Sequence, residues 1–227
     1  MLTEEAHHMF VGETGITRVV QRTCEAMREA GITDPTDIAK VRALGVIDLP
    51  TIQKKLNLHY SLSLDLFGSE VSTNAANAFN AGIKGRYRET QIDDDHQLKD
   101  ATYPVLKLVD GVIKRVDEPA LTALNMRLRD DYTQDCVKGM LRWNKVISTA
   151  GYDFQLKLPN VAFHRHIGEV KDVHATPDCL LIDASTWATR KAQWLPSLPD
   201  GDCVPPRIPP VTPARHVLSP RTPSTVA

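Results

Sequence analysis

Within the first eight residues a glutamate is followed three positions later by a histidine in two overlapping registers, Glu4/His7 and Glu5/His8, both inside Glu4-Glu5-Ala6-His7-His8. Residues three apart on a helix share a face, so either register aims a carboxylate and an imidazole at one point. That pair suits iron: carboxylates offer hard, bridging oxygens, the imidazole a neutral nitrogen, and open positions remain for dioxygen. Helical bundles that hold two irons use two such units and one carboxylate from each of two further helices. A plainer reading exists: acids are favoured in the first turn of a helix by its macrodipole, with Thr3 as the N-cap. No other Glu-x-x-His occurs in the 227 residues, and the nearest substitute, Asp93-x-x-His96, falls in the polar stretch 84–99, which reads as a surface loop.

The element that must carry the pair is a helix over 2–30, closed by Gly31. One line along it runs Glu5, His8, Gly12, Gly15/Ile16, Val19, Thr23, Ala26, Ala30, so the carboxylate and imidazole share the face expected to pack. Gly12 and Gly15 each weaken a helix by roughly 1 kcal/mol relative to Ala, which predicts a compensating close approach by another helix. A short helix over 36–44 follows. Asp48 and Pro50 then open a long buried helix over 50–81, with a break expected near Gly68.

Strands at 103–108 and 112–116 flank Asp110-Gly111, a strong hairpin signal. Glu118-Pro119 is expected to open a helix reaching about Ala150, whose apolar side comprises Leu121, Leu124, Met126, Leu128, Tyr132, Cys136, Met140, Leu141, Trp143 and Val146. The pattern from 152 to 195 is irregular, with a strand expected at 154–158, a basic-aromatic turn at Phe163-His164-Arg165-His166, and a short helix near 184–193. Nine of the fifteen prolines fall in the last 33 residues, a composition that supplies too few apolar groups and donors to order a chain. The spacing predicts a mainly α fold: a partial helical bundle with one β-hairpin and an irregular C-terminal region. Three segments result: 1–83, the bundle helices; 84–195, hairpin, long helix and irregular region of the same domain; and 196–227, a proline-rich tail expected to be disordered.

Other candidate residues have ordinary alternatives. The 163–166 turn could touch phosphates of a nucleotide-bearing substrate with help from Lys138 or Arg142, although a basic surface turn is the commoner meaning. His59 lacks an acid one turn earlier and reads as an interior or interface histidine. Cys24, Cys136, Cys179 and Cys203 form no CxxC pair and read as packing or tail residues. With 27 Lys+Arg against 28 Asp+Glu, no basic field for nucleic acid exists. No stretch approaches the ~20 apolar residues of a membrane span, and the acidic start is unlike a signal peptide. A cytoplasmic protein is expected.

The blocks EEAHHMFVGETGITRVVQRT, FGSEVSTNAANAFNAGIKGRY, DDDHQLKDATYPVLKL, LNMRLRDDYTQDCVKGMLRWNK and DFQLKLPNVAFHRHIG, continuing to about Pro196, resemble the oxygenase component of benzoyl-CoA 2,3-epoxidase, a di-iron, ferritin-like family. The resemblance implies a ferritin-like bundle and a monooxygenase that uses iron and dioxygen to epoxidise benzoyl-CoA in aerobic aromatic catabolism. It further implies electrons from NADPH through a separate reductase carrying FAD and iron–sulfur clusters. The family's final Glu-x-x-His falls on Glu5 and His8, which implies iron ligation there; the unbroken line to Gly12 and Gly15 favours this register over Glu4/His7.

The chain departs from the family at both ends. It begins one turn before the ligands, so most of the di-iron set is expected to be missing and the chain alone to be incompetent. Near Pro196 it turns proline-rich, as a shifted reading frame or truncated gene copy would produce. Because native proteins hold only about 5–15 kcal/mol of net stability, loss of partner helices is expected to endanger the N-terminal part, leaving a smaller cluster around the hairpin and long helix. The rivals are a non-catalytic remnant or interaction protein without metal, and separate chains that jointly complete a metal site.

Overall fold

The computed structural model describes residues 2–71, 101–120, 122–197 and 200. Five helices and two small ladders appear among them: α1 (Leu2–Glu29), α2 (Ile38–Ala43), α3 (Leu49–Asp65), β1 (Thr102–Val109), β2 (Val112–Pro119), α4 (Leu124–Thr149), β3 (His174–Ala175), β4 (Leu181–Ile182) and α5 (Ala184–Trp194). The fold is mainly α with one antiparallel hairpin, as expected. The loop over 84–99, with Asp93 and His96, lies outside the described residues, as do 72–83 and 201–227.

Local chemistry sets most helix ends. The carboxylates of Asp37, Asp48 and Asp183 accept the backbone N–H of Lys40, Thr51 and Thr186, capping α2, α3 and α5. Helices α1 and α4 finish with the same motif: Ile32 N–H donates to Met27 O and Gly31 N–H to Arg28 O in one, Tyr152 N–H to Ile147 O and Gly151 N–H to Ser148 O in the other. The Tyr152 hydroxyl donates to Ile32 O at 3.1 Å and joins the two ends. The Asp183 carboxyl is held well below the usual carboxylate range, first by the Ser185 hydroxyl, then by the Thr186 amide and hydroxyl. A folded pKa below the unfolded value near 3.8 gives support that is present above that pH and is lost as pH falls through the lowered value. Thermal stability is therefore expected to decline as pH drops below about 4, and the decline to be shallower in Asp183→Asn.

The largest buried cluster joins α1, α2, α3 and α4 through Val20, Cys24, Met27, Val41, Leu49, Ile147 and Leu156. Thr23, buried among them, donates its hydroxyl to Ile47 O at 2.7 Å. The second half of α1, within the part expected to be endangered, supplies residues to this core. A smaller cluster around Val105, Leu106, Ala123 and Met126 holds the hairpin against α4. On α4, Leu128 and Leu141, expected inside, are exposed, whereas Met126 and Ile147 are buried.

Several expected boundaries move. Helix α3 stops at Asp65 and the chain turns through Gly68, where the break in the 50–81 run was expected; residues 72–81 lie outside the described set. The long helix begins at Leu124 rather than at Glu118-Pro119. Those two residues end β2, where Glu118 pairs with Lys107 across the hairpin and Pro119 sits opposite Thr102. Proline at a strand end removes no needed ladder donor, so the signal that opens a helix can equally close a strand. The expected strand at 154–158 has no ladder. Its peptides are matched by side-chain amides instead: Asn144 accepts from Leu156 N–H and donates to Leu156 O, and Gln53 does the same for Lys157.

The first half of α1 also differs from expectation. A Cβ placed on Gly12 or Gly15 would meet nothing within 4 Å, so no described residue packs against either glycine. Phe10 and Val11 remain 66% and 53% exposed. His59, expected as an interior or interface histidine, is exposed on α3, so it is not in the interior of this chain.

Where the proline-rich stretch begins, Asp200 is buried. Its carboxylate accepts from the Ser197 amide and hydroxyl, both at 2.8 Å, and pairs with Arg42, which also reaches Asp48 at 2.8 Å. No helix among the described residues is long and apolar enough to cross a membrane.

Candidate functional site

Glu5 and His8 both lie in α1, and His8 is exposed; the Glu5 side chain lies outside the described set. Glu4 and His7, the competing register, are also exposed on this helix. The helix already runs at Leu2, which places Thr3 inside it rather than at the N-cap. Among the described residues no group of three or more His, Cys, Asp or Glu is placed to hold a metal ion. The two positions are thus carried three apart on one helix.

Away from that end, the turn following Leu158 is more structured than the reading of a basic surface turn implied. Phe163 and Arg165 are buried. Arg165 Nε donates to Asp65 Oδ1 at 2.5 Å, and its guanidinium lies 3.5 Å from Glu70 Oε1. Arg129, from α4, meets the same Glu70 oxygen at 3.2 Å and donates to Gly68 O at 2.5 Å. The second Glu70 oxygen accepts the Glu169 amide at 2.7 Å. Arg129, Arg165 and Glu70 have fully buried side chains and Asp65 a nearly buried one, so two cations and two carboxylates neutralise each other in the interior. Burial, and next the neighbouring Arg165 charge, lower the Arg129 pKa.

This network fixes the outer side of the turn. Asp65 Oδ2 accepts the His166 amide at 3.1 Å, and His164 adopts a positive φ of 50°, so that the His164 and His166 rings come within 4.5 Å. Helix α5 brings Trp187 against them. His174 stacks on that indole at 5.1 Å and 4°, and His164 at 5.7 Å and 26°. Phe163 meets Trp187 and Trp194 edge-on. A cavity of about 170 Å³ opens among His164, Arg165, His166, Lys171, Val173, His174 and Trp187. The His164 pKa is lowered by burial first and by the neighbouring His166 next.

The helpers named for this turn, Lys138 and Arg142, are elsewhere. Lys138 pairs with Asp135, and Arg142 pairs with Glu13 and lines a separate hollow between α1 and α4. Lys171, His174 and Trp187 take their place, and sequence reasoning missed all three. A usable signal was present: three of the eight histidines and two of the three tryptophans fall within 163–194. Cys24 is buried, Cys136 and Cys179 are half-buried, and none is in a disulfide; burial pushes each thiol pKa up, as packing residues require. Cys203 lies outside the described residues.

Helix α1 with its Glu-x-x-His, the packed helices behind it and the hairpin insert together define a mainly helical protein bearing one carboxylate–imidazole unit. No family model matches the chain. The chain is 52% identical over 200 residues to benzoyl-CoA oxygenase component B of Aromatoleum evansii, an alignment that takes in 88% of this chain. Along that stretch the chain is similar to that oxygenase component, the protein that the five sequence blocks resemble. The chain spans 42% of the length of this relative.

Proposed function

We propose that the chain is a portion of the oxygenase component of a benzoyl-CoA 2,3-epoxidase, acting in O2- and NADPH-dependent epoxidation of benzoyl-CoA within a cytoplasmic multicomponent system. The single observation that carries this reading is the 52% identity over 200 residues. "Component B" in the relative's name speaks of a system with other parts, which fits a flavin and iron–sulfur reductase as electron donor.

Within this reading Glu5 and His8 are two iron ligands of a ferritin-like di-iron centre. Carboxylate and imidazole are the donor types such a centre uses. Among the described residues no group of three or more His, Cys, Asp or Glu is placed to hold a metal ion, and no reaction step is derived through iron. Two ligands of a set that needs about six in this class of bundle predict a chain that binds iron weakly and does not turn over alone.

The test combines ferrous-iron titration with turnover of benzoyl-CoA by the 227-residue chain, NADPH and a flavin/iron–sulfur reductase. Weak iron binding, lost in both Glu5→Ala and His8→Ala, without epoxide formation is the expected result. Two tightly held irons and turnover would overturn the claim of incompetence. Iron binding unchanged in both variants would remove the ligand assignment. Failure to bind either iron or benzoyl-CoA would leave a metal-free interaction protein as the better reading.

A further inference from the structure

We propose that the cavity between the 163–174 turns and α5 is a phosphate-binding site, in which Lys171, His164 and His174 grip a phosphomonoester beside Trp187. The 3′-phosphate of a coenzyme A thioester and free inorganic phosphate offer this same chemistry, and the first is the source favoured here. That choice rests on the oxygenase reading; the site itself does not.

Size, charge and preparedness support the assignment. At about 170 Å³ the cavity matches the share of about five waters at ~30 Å³ each, room for a phosphate with part of its hydration shell. No carboxylate is among its lining residues. Two acids behind the turn already serve cations: Asp65 takes Arg165 and the His166 amide, and Glu70 takes Arg129 and Arg165. The lining is therefore left with an excess of positive and titratable donors.

Lys171 is exposed and forms no ion pair among the described residues, so its ammonium can serve an anion as a point charge. The His164 and His174 rings are held by stacking on Trp187 rather than by hydrogen bonds. Their nitrogens remain available as donors while their orientations are already set, which lowers the ordering cost of binding. Protonated imidazole and ammonium groups form the stronger, charge-assisted class of hydrogen bond to phosphate oxygens. The field supports the same conclusion: His166, Lys191 and His174 all press the His164 pKa downward after burial, with Asp65 alone opposing. A bound anion would relieve that repulsion.

The probes are adenosine 3′,5′-bisphosphate, adenosine 5′-monophosphate and inorganic phosphate, titrated into the full 227-residue chain and followed by calorimetry and tryptophan fluorescence. The bisphosphate is expected to bind about tenfold more tightly than the 5′-monophosphate, one charge-assisted contact set being about that strong. Lys171→Met and His174→Gln are each expected to weaken it about fivefold or more. Lys138→Met, on α4 and paired with Asp135, is the control expected to leave it unchanged. Inorganic phosphate binding as tightly as the bisphosphate, with the same losses in the variants, would keep the site and assign it to free phosphate.

Absence of binding by all three probes would overturn the proposal, as would binding that ignores both Lys171→Met and His174→Gln. Lys171 is exposed, so its variant tests the site without endangering the fold. These readouts need neither iron nor turnover, so a negative result leaves the oxygenase reading standing, and loss of that reading leaves the phosphate site testable.

Discussion

Glu70→Ala is expected to lower the stability of the chain by about 3–5 kcal/mol, the range seen when one partner of a buried ion pair is removed and the other charge stays behind. Two guanidiniums and one peptide amide converge on the Glu70 carboxylate, which is fully buried. Without it Arg129 retains Gly68 O, while its Nε is already a buried donor with no partner among the described residues. Arg165 retains Asp65. One positive charge is then left in excess between two side chains that are fully buried. Glu70→Gln keeps the shape and an acceptor for the Glu169 amide, so its cost is expected to be smaller but still above about 1 kcal/mol. Urea midpoints at neutral pH, with the slope unchanged, measure both. A Glu70→Ala loss under about 1 kcal/mol would show that the network is not what holds this region.

The same network links structure to the candidate phosphate site. Asp65 is the last residue of α3, Arg129 is on the first turns of α4, and Arg165 and Glu169 belong to the turn that bounds the cavity. Arg165 is thus a positioning residue: its charge is consumed by Asp65 and Glu70, and its effect on a ligand passes through where it holds His164 and His166. This predicts that Glu70 variants lose phosphate affinity together with stability, whereas Lys171→Met loses affinity alone.

Legibility in the sequence follows the range of the determining interaction. The Asp37, Asp48 and Asp183 caps, the Asp110-Gly111 turn with φ of 53° and 72°, and the closing Gly31 and Gly151 act over two to five residues. Each was readable. Pro119 was misplaced because proline is compatible with both a helix start and a strand end, and only the pairing with Thr102 decides. The 154–158 stretch has strand-like alternation, but its partners are the Asn144 and Gln53 amides on two different helices, which no local pattern reveals. Glu70 and Arg129 are residue types that normally face water; they are separated by 59 positions, and nothing near either one announces burial.

For the candidate sites the same division holds. Glu5 and His8 are legible because three-residue spacing on a helix is local. Of the cavity lining, the sequence shows His164, Arg165 and His166 as a run, whereas Lys171, His174 and Trp187 join them by the turn at Gly168 and the docking of α5. The basic character of that run was also misleading by itself. Its arginine points inward to carboxylates, and its histidines face the cavity.

Gly168→Ala should cost about 3–5 kcal/mol, because it combines a strained backbone with displacement of a buried charge. Gly168 has φ of 89°, a region that L side chains rarely adopt, and a Cβ there would overlap the Glu70 carboxylate, with its carbon 2.8 Å away. The carboxylate cannot retreat without releasing Arg129 or the Glu169 amide. Gly31→Ala supplies the comparison: its φ is 68°, but an added Cβ would meet nothing within 4 Å, so it should show the left-handed penalty of roughly 1–2 kcal/mol alone. Combining Gly168→Ala with Glu70→Ala removes the obstacle, and the added cost of the glycine change should then fall to the Gly31→Ala value, a coupling that a double-mutant cycle in urea reads directly. Equal costs for Gly168→Ala in the presence and absence of the Glu70 carboxylate would mean that backbone strain accounts for the whole effect and that the close approach of Glu70 to this turn carries none of it.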